Sequence, residues 1–86
     1  CAIMGASAVD EIGVSEALPS AAGVYTAMIG QAQQTIVVAD HSKLGTQSLK
    51  RILRWNENTT LVTDVSPASA ILQSLTTKGA RVRIVE

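Results

Sequence analysis

Eighty-six residues allow one small domain or part of a larger one, and a chain this short buries only about 60–65% of its unfolded surface. Seven Lys and Arg balance seven Asp and Glu, which argues against a phosphate-tracking nucleic-acid surface within these residues. The single cysteine, Cys1, excludes an internal disulfide and suits a reducing cytoplasm; no apolar run reaches the length of a membrane span, and no signal-peptide layout is present. With one Trp, one Tyr and no Phe, the core must be aliphatic.

The chain opens on Cys1-Ala2-Ile3-Met4, a strand-like start in mid-fold, and is read as a fragment of a longer protein. That first strand ends at Gly5-Ala6-Ser7-Ala8, where small residues permit close approach of a backbone or ligand. Val9–Leu18 has no clean periodicity, and Asp10, Glu11 and Gly13 suggest a loop crossing the sheet edge. Pro19-Ser20 open a helix whose stripe is expected at Val24, Met28 and Ala32, widened by Tyr25 and Ile29. Gly23 and Gly30 within it hint at tight helix–sheet packing.

Ile36-Val37-Val38-Ala39 is a continuous apolar run rich in β-branched residues, as in a parallel strand covered on both faces. It stops abruptly at Asp40-His41-Ser42-Lys43. Thr46–Trp55 is ambiguous: Leu49, Ile52 and Leu53 fit a helical stripe with Lys50, Arg51 and Arg54 as a basic face, or the same residues form a short strand. Trp55 closes the core or a subunit contact. Asn56-Glu57-Asn58 is a turn by composition, and Thr59–Thr63 is another strand, ending at Asp64. Asp64 or Ser66 can cap the following helix, with Pro67 near its first turn and Ala68, Ile71, Leu72 and Leu75 as its apolar stripe. Gly79 stops that helix. Arg81–Val85 alternates as a half-exposed outer strand. Strands separated by helices mean an α/β fold with a largely parallel sheet.

Three strand ends carry the candidate chemistry: Gly5 and Ser7, then Asp40, Ser42 and Lys43, then Thr63 and Asp64. In a parallel sheet they share one edge, where open α/β sheets hold ligands. Asp and Thr can hold sugar hydroxyls, and Lys offers a point charge to phosphate or carboxylate. The competing reading makes Asp40 and Asp64 turn caps and leaves Lys43 in solvent. No phosphate loop and no GxGxxG is present. A single His and a single Cys supply neither a catalytic triad nor a metal site, so no catalytic residue, metal or cofactor is expected.

The run AMIGQAQQTIVVADHSKLG (27–45) resembles the effector domain of DeoR-type bacterial transcriptional repressors. Such domains show an alanine-rich helix, a hydrophobic strand and an Asp-x-Ser-Lys tip followed closely by Gly. MGASAVDEIGVSE (4–16) is similar to the family's Gly-containing strand end and its later Gly-Val/Leu-Thr step, with Ser15 for Thr. LVTD (61–64), the helix, Gly79 and residues 82–85 are similar to its closing elements. His41 stands where Ser is frequent, and Leu44 where Phe is frequent.

The resemblance implies a Rossmann-like domain related to ribose-5-phosphate isomerase-like domains, with residues 1–86 forming its C-terminal part. It also implies an absent N-terminal winged helix-turn-helix that binds DNA, and an absent first portion of the effector domain. A phosphorylated sugar or related metabolite would bind at Gly5, Ser7, Asp40, Ser42, Lys43, Thr63 and Asp64, in a cytoplasmic, homo-oligomeric protein that is not an enzyme. By resemblance, Thr46–Leu53 is extended. The alternatives are a fragment of a sugar-phosphate isomerase and an oligomerisation segment without a ligand.

Overall fold

The computed structural model of the chain describes residues 1–17, 19–48, 50–65 and 67–85, without the side chains of residues 19–21. In chain order the elements are β1 (Ala2–Gly5), β2 (Ala8–Val9), β3 (Gly13–Glu16), α1 (Pro19–Gln31), β4 (Thr35–Val38), a 3-10 turn (His41–Lys43), β5 (Lys50–Arg54), β6 (Thr59–Thr63), α2 (Ser69–Thr77) and β7 (Arg81–Ile84). The four apolar runs expected as strands build one sheet in the order β1-β4-β6-β7. Every neighbouring pair in it is parallel, with Gly5 opposite Val38, Val38 opposite Val62 and Val62 opposite Arg83. The fold is mixed α/β, and the carboxyl ends of its parallel strands share one edge.

A second sheet, β2-β3-β5, is antiparallel. It overturns the reading of Val9–Leu18 as a loop crossing the sheet edge; Leu18 itself lies outside the described residues. The Asp10 carboxylate makes the turn: Oδ1 accepts the N–H groups of Ile12 and Gly13, both at 2.9 Å, and the Asp10 N–H donates to the Gly13 carbonyl at 3.0 Å. Gly13 then runs so close to β5 that a Cβ would sit 1.8 Å from the Leu53 carbonyl oxygen. Residues 50–54 are a strand, as the resemblance implied, against their helical spacing; Leu49 lies outside the described residues.

The core forms between the sheets. Met4, Val37 and Leu61 make one buried row across the large sheet, continued by the half-buried Val82. Against that row pack Val9, Val14, Ile52, Leu53 and Trp55 of the small-sheet layer, Ala22 of α1, and Ile71 and Leu75 of α2. Both helices and the small sheet therefore cover the same face of the large sheet. Trp55 belongs to this core, and its indole N–H donates to the Asp10 carbonyl at 2.9 Å.

Three finer expectations are corrected. In α1 the inward stripe is Ala22, Tyr25 and Ile29, spaced i, i+3 and i+7, whereas Val24 and Met28 point outward. The helix carries apolar residues on more than one side, so spacing alone does not orient it. Gly23 and Gly30 are exposed, and a Cβ at either would meet nothing within 4 Å, so neither marks tight packing. The N-cap of α2 is Ala68, with no side-chain cap; Asp64 is engaged elsewhere and Ser66 lies outside the described residues. Within α2, Ile71 and Leu75 are buried while Ala68 and Leu72 are exposed. Gly79, at φ +82°, ends the helix as expected, and the Ala80 N–H returns to the Leu75 carbonyl at 2.9 Å.

The β-branched run of β4 was expected to be covered on both faces. It is covered on one. Val38 is 46% exposed, and Ile3 beside it on β1 is 65% exposed.

Candidate functional site

Backbone bonding carries the parallel ladder past the strands to their tips. The Ala39 N–H donates to the Val62 carbonyl at 3.0 Å, and the Val85 N–H donates to the Thr63 carbonyl at 2.8 Å. Between them opens a cleft of about 330 Å³, lined by Val38, Ala39, Asp40, Val62, Thr63, Asp64 and Val85. A larger hollow of about 450 Å³ lies at the opposite ends of the strands, lined by Cys1, Ala2, Ala27, Met28, Gln31 and Ala32. Its lining side chains carry no carboxylate, histidine or cationic group, whereas Asp40 and Asp64 line the strand-tip cleft.

Asp40 ends the extended backbone of β4 and caps the 3-10 turn. Its Oδ1 accepts the Ser42 N–H at 3.0 Å and also the Ser42 hydroxyl. The Ser42 hydroxyl, together with nearby Lys43 and His41, holds the Asp40 carboxyl below the usual carboxylate value. The turn is closed by the Lys43 N–H on the Asp40 carbonyl at 3.1 Å. Gly45, at φ +78°, then leads the chain to the small sheet, where its N–H meets the Val9 carbonyl at 2.7 Å.

Asp64, at the tip of β6, reaches across to this turn with both oxygens. Oδ1 accepts the His41 backbone N–H at 2.8 Å, and Oδ2 lies 2.9 Å from His41 Nδ1. The two groups shift each other. The hydrogen bond and charge of Asp64 raise the His41 pKa, and the same bond to His41 lowers that of Asp64. His41 and Asp64 therefore clasp the β4 and β6 tips together at the mouth of the cleft.

The expected residues divide into groups. Asp40, Thr63 and Asp64 line the cleft, and Ser42 and Lys43 stand on the turn beside it. Asp40 and Asp64 act as turn-holding groups and also line the cleft. Lys43 is half-buried, and among the described residues its ammonium has no ion-pair partner. Gly5 and Ser7 stand at the β1 tip on the same edge but do not line this cleft. Ser7 is committed inward, its hydroxyl donating to Glu16 Oε1 at 2.7 Å.

Two contributors escaped sequence reasoning. Glu16 is buried at the end of β3, where Oε1 also accepts the Ala17 N–H at 3.1 Å. No spacing signal marks it. His41 as the partner of Asp64 is 23 residues distant in sequence, and only the parallel pairing of β4 and β6 brings the two together. Among the described residues no group of three or more His, Cys, Asp or Glu is placed to hold a metal ion, and no helix is long and apolar enough to cross a membrane.

No solved structure matches the chain. The HTH-type transcriptional repressor GlcR of Bacillus subtilis (strain 168) is 35% identical over 85 residues, which are 99% of this chain and 33% of that protein. The chain thus spans about a third of the length of that curated relative. The model of the DeoR C terminal sensor domain matches residues 1–65, from β1 through the tip of β6. The chain belongs to the DeoR C-terminal sensor-domain family.

Proposed function

We propose that residues 1–86 are the C-terminal part of a sensor domain in a transcriptional repressor, and that the strand-tip cleft is one wall of its effector site. The observation that carries this reading is Lys43: a half-buried cation with no ion-pair partner among the described residues, presented on a capped turn beside the cleft. An anionic group of a phosphorylated sugar or related metabolite would face Lys43. Asp40 and Thr63 would take hydroxyls, with Ser42 and Asp64 flanking them and Gly5 and Ser7 bordering from β1. The two carboxylates at the cleft disfavour an anion placed against them and so orient a ligand with its hydroxylated end inward.

In this reading the domain is Rossmann-like and related to ribose-5-phosphate isomerase-like domains. It acts by binding rather than by catalysis, in a cytoplasmic homo-oligomer whose DNA contacts come from an N-terminal helix-turn-helix outside these residues. A ligand with different affinities for two conformations of the repressor shifts its DNA binding by that difference. The test is a titration of sugar phosphates against the full-length protein, following both effector binding and DNA affinity. Wild type is expected to change its DNA affinity with at least one of them. Lys43→Ala should weaken the effector about tenfold or more, the scale of a lost charge-assisted contact, with DNA affinity in the absence of effector unchanged. Unchanged effector affinity would remove Lys43 from the site, and steady turnover of a pentose phosphate would favour the isomerase alternative.

A further inference from the structure

Parallel pairing in register lays the uncovered face of the large sheet out in rows. Ile3, Ile36, Thr60 and Arg81 form one row, and Gly5, Val38, Val62 and Arg83 the next. Three strands present aliphatic side chains on this face, Ile3 and Val38 well exposed and Ile36 and Val62 half-buried. The fourth strand, β7, rims it with two exposed arginines that have no ion-pair partner among the described residues. Parallel sheets are otherwise found covered on both faces, because an aliphatic face in water forfeits its hydrophobic free energy. We propose that this face is the seat of amphipathic helices from the same polypeptide, lying beyond the 86 residues, with their apolar sides on Ile3, Ile36, Val38 and Val62 and carboxylates toward Arg81 and Arg83.

Topology selects the same polypeptide as the occupant. The chain passes from β1 to β4, from β4 to β6 and from β6 to β7, stepping one way across the sheet with its connections on the covered face. Crossovers between parallel strands are right-handed almost without exception, so every further step in that direction also lands on the covered face. Helices on the bare face belong to connections stepping the opposite way, which places their strands beyond the free edge of β1. About two thirds of the Bacillus subtilis relative lies outside the matched stretch, ample for such a unit. Four strands about 4.8 Å apart and helices about 10 Å wide make the seat roughly two helices across. The arginines at its β7 rim set the charge of the occupant on that side.

The proposal stands apart from the identity of the effector, and its test reads only solvent access. In the full-length protein with Cys1→Ser, cysteines are placed one at a time by Val38→Cys, Val62→Cys and Ile3→Cys, and at the exposed Glu57 by Glu57→Cys as a control. Maleimide labelling of the native protein is followed by peptide mass spectrometry, and thermal unfolding of each variant confirms that it is folded. Labelling at 38, 62 and 3 is expected to be about a hundredfold slower than at 57, as for groups reached only through local opening, and independent of protein concentration. Labelling at the control rate would overturn the proposal. Protection that disappears on dilution would overturn it too, assigning the face to a second copy of the chain. Arg81→Glu combined with Arg83→Glu is expected to speed labelling of Val38→Cys severalfold, and an unchanged rate would overturn the assignment of carboxylates to the occupant.

Discussion

His41 and Asp64 show how a residue's role depends on what the fold brings opposite it. Taken singly, one is a histidine in a turn and the other a carboxylate after a strand. Together they join two strand tips through a backbone N–H and a ring nitrogen. The pH dependence follows from the direction of each shift. His41 binds its proton more tightly folded than unfolded, so its contribution is fully present below 6.5, its usual value, and is lost as pH rises through the raised folded value. Asp64 has a lowered pKa, so its contribution is present above 3.8, its usual value, and is lost as pH falls through the lowered folded value. The clasp is therefore strongest between pH 3.8 and 6.5, and weakens as pH rises toward the raised His41 value or falls toward the lowered Asp64 value. An NMR titration of the His41 imidazole is expected to give a midpoint above 6.5, falling in Asp64→Asn, where the charge is gone. No fall in that variant would mean the pair does not form in solution.

Elements differ in how far their own residues announce them. β4, β6 and α2 were legible because each couples a continuous or i, i+3, i+4 apolar pattern to a clear stop: Asp40, Asp64 and Gly79. The β2–β3 hairpin was not, since strands of two and four residues are too short for alternation to show. Its turn is built by one aspartate with a partner glycine, a combination equally common in loops. The facing of α1 was misread because small residues around Ala22 permit several apolar stripes, and only the packed core chooses one. Glycine substitutions separate these situations. Gly13→Ala drives a methyl into the Leu53 carbonyl and should cost about 3 kcal/mol, the upper range of overpacking. Gly23→Ala and Gly30→Ala fill open space on an exposed helix side with ordinary helical φ, and each should stabilise by about 0.5–1 kcal/mol. Chemical denaturation of the three variants checks both signs.

At the scale of the whole chain, two sheets share one core. Leu61 is fully buried in the large sheet and belongs to the same cluster as Val14 and Leu53 of the small one. Leu61→Ala should cost about 2–5 kcal/mol, and hydrogen exchange followed by mass spectrometry should show faster exchange in β3 and β5 as well as in β4 and β6. Acceleration confined to the large sheet would mean that the two layers open independently. The α/β class and the shared edge of strand tips were readable from the order of apolar runs. The separate small sheet and the bare sheet face were not, because both depend on which layers meet in space.

The turn after β4 has a consequence for how such a domain can diversify. Its shape is held by Asp40, by Asp64 and by backbone N–H groups, none of which asks anything of the side chain at position 43. Under the proposed function, the frame and the residue that meets the ligand are thus separable: substitutions at 43 would change which ligand charge is welcome while the turn keeps its course. Changes at 40 or 64 alter the frame first. Under that same proposal, ligand preference could change by substitution at position 43 of this turn without loss of the fold.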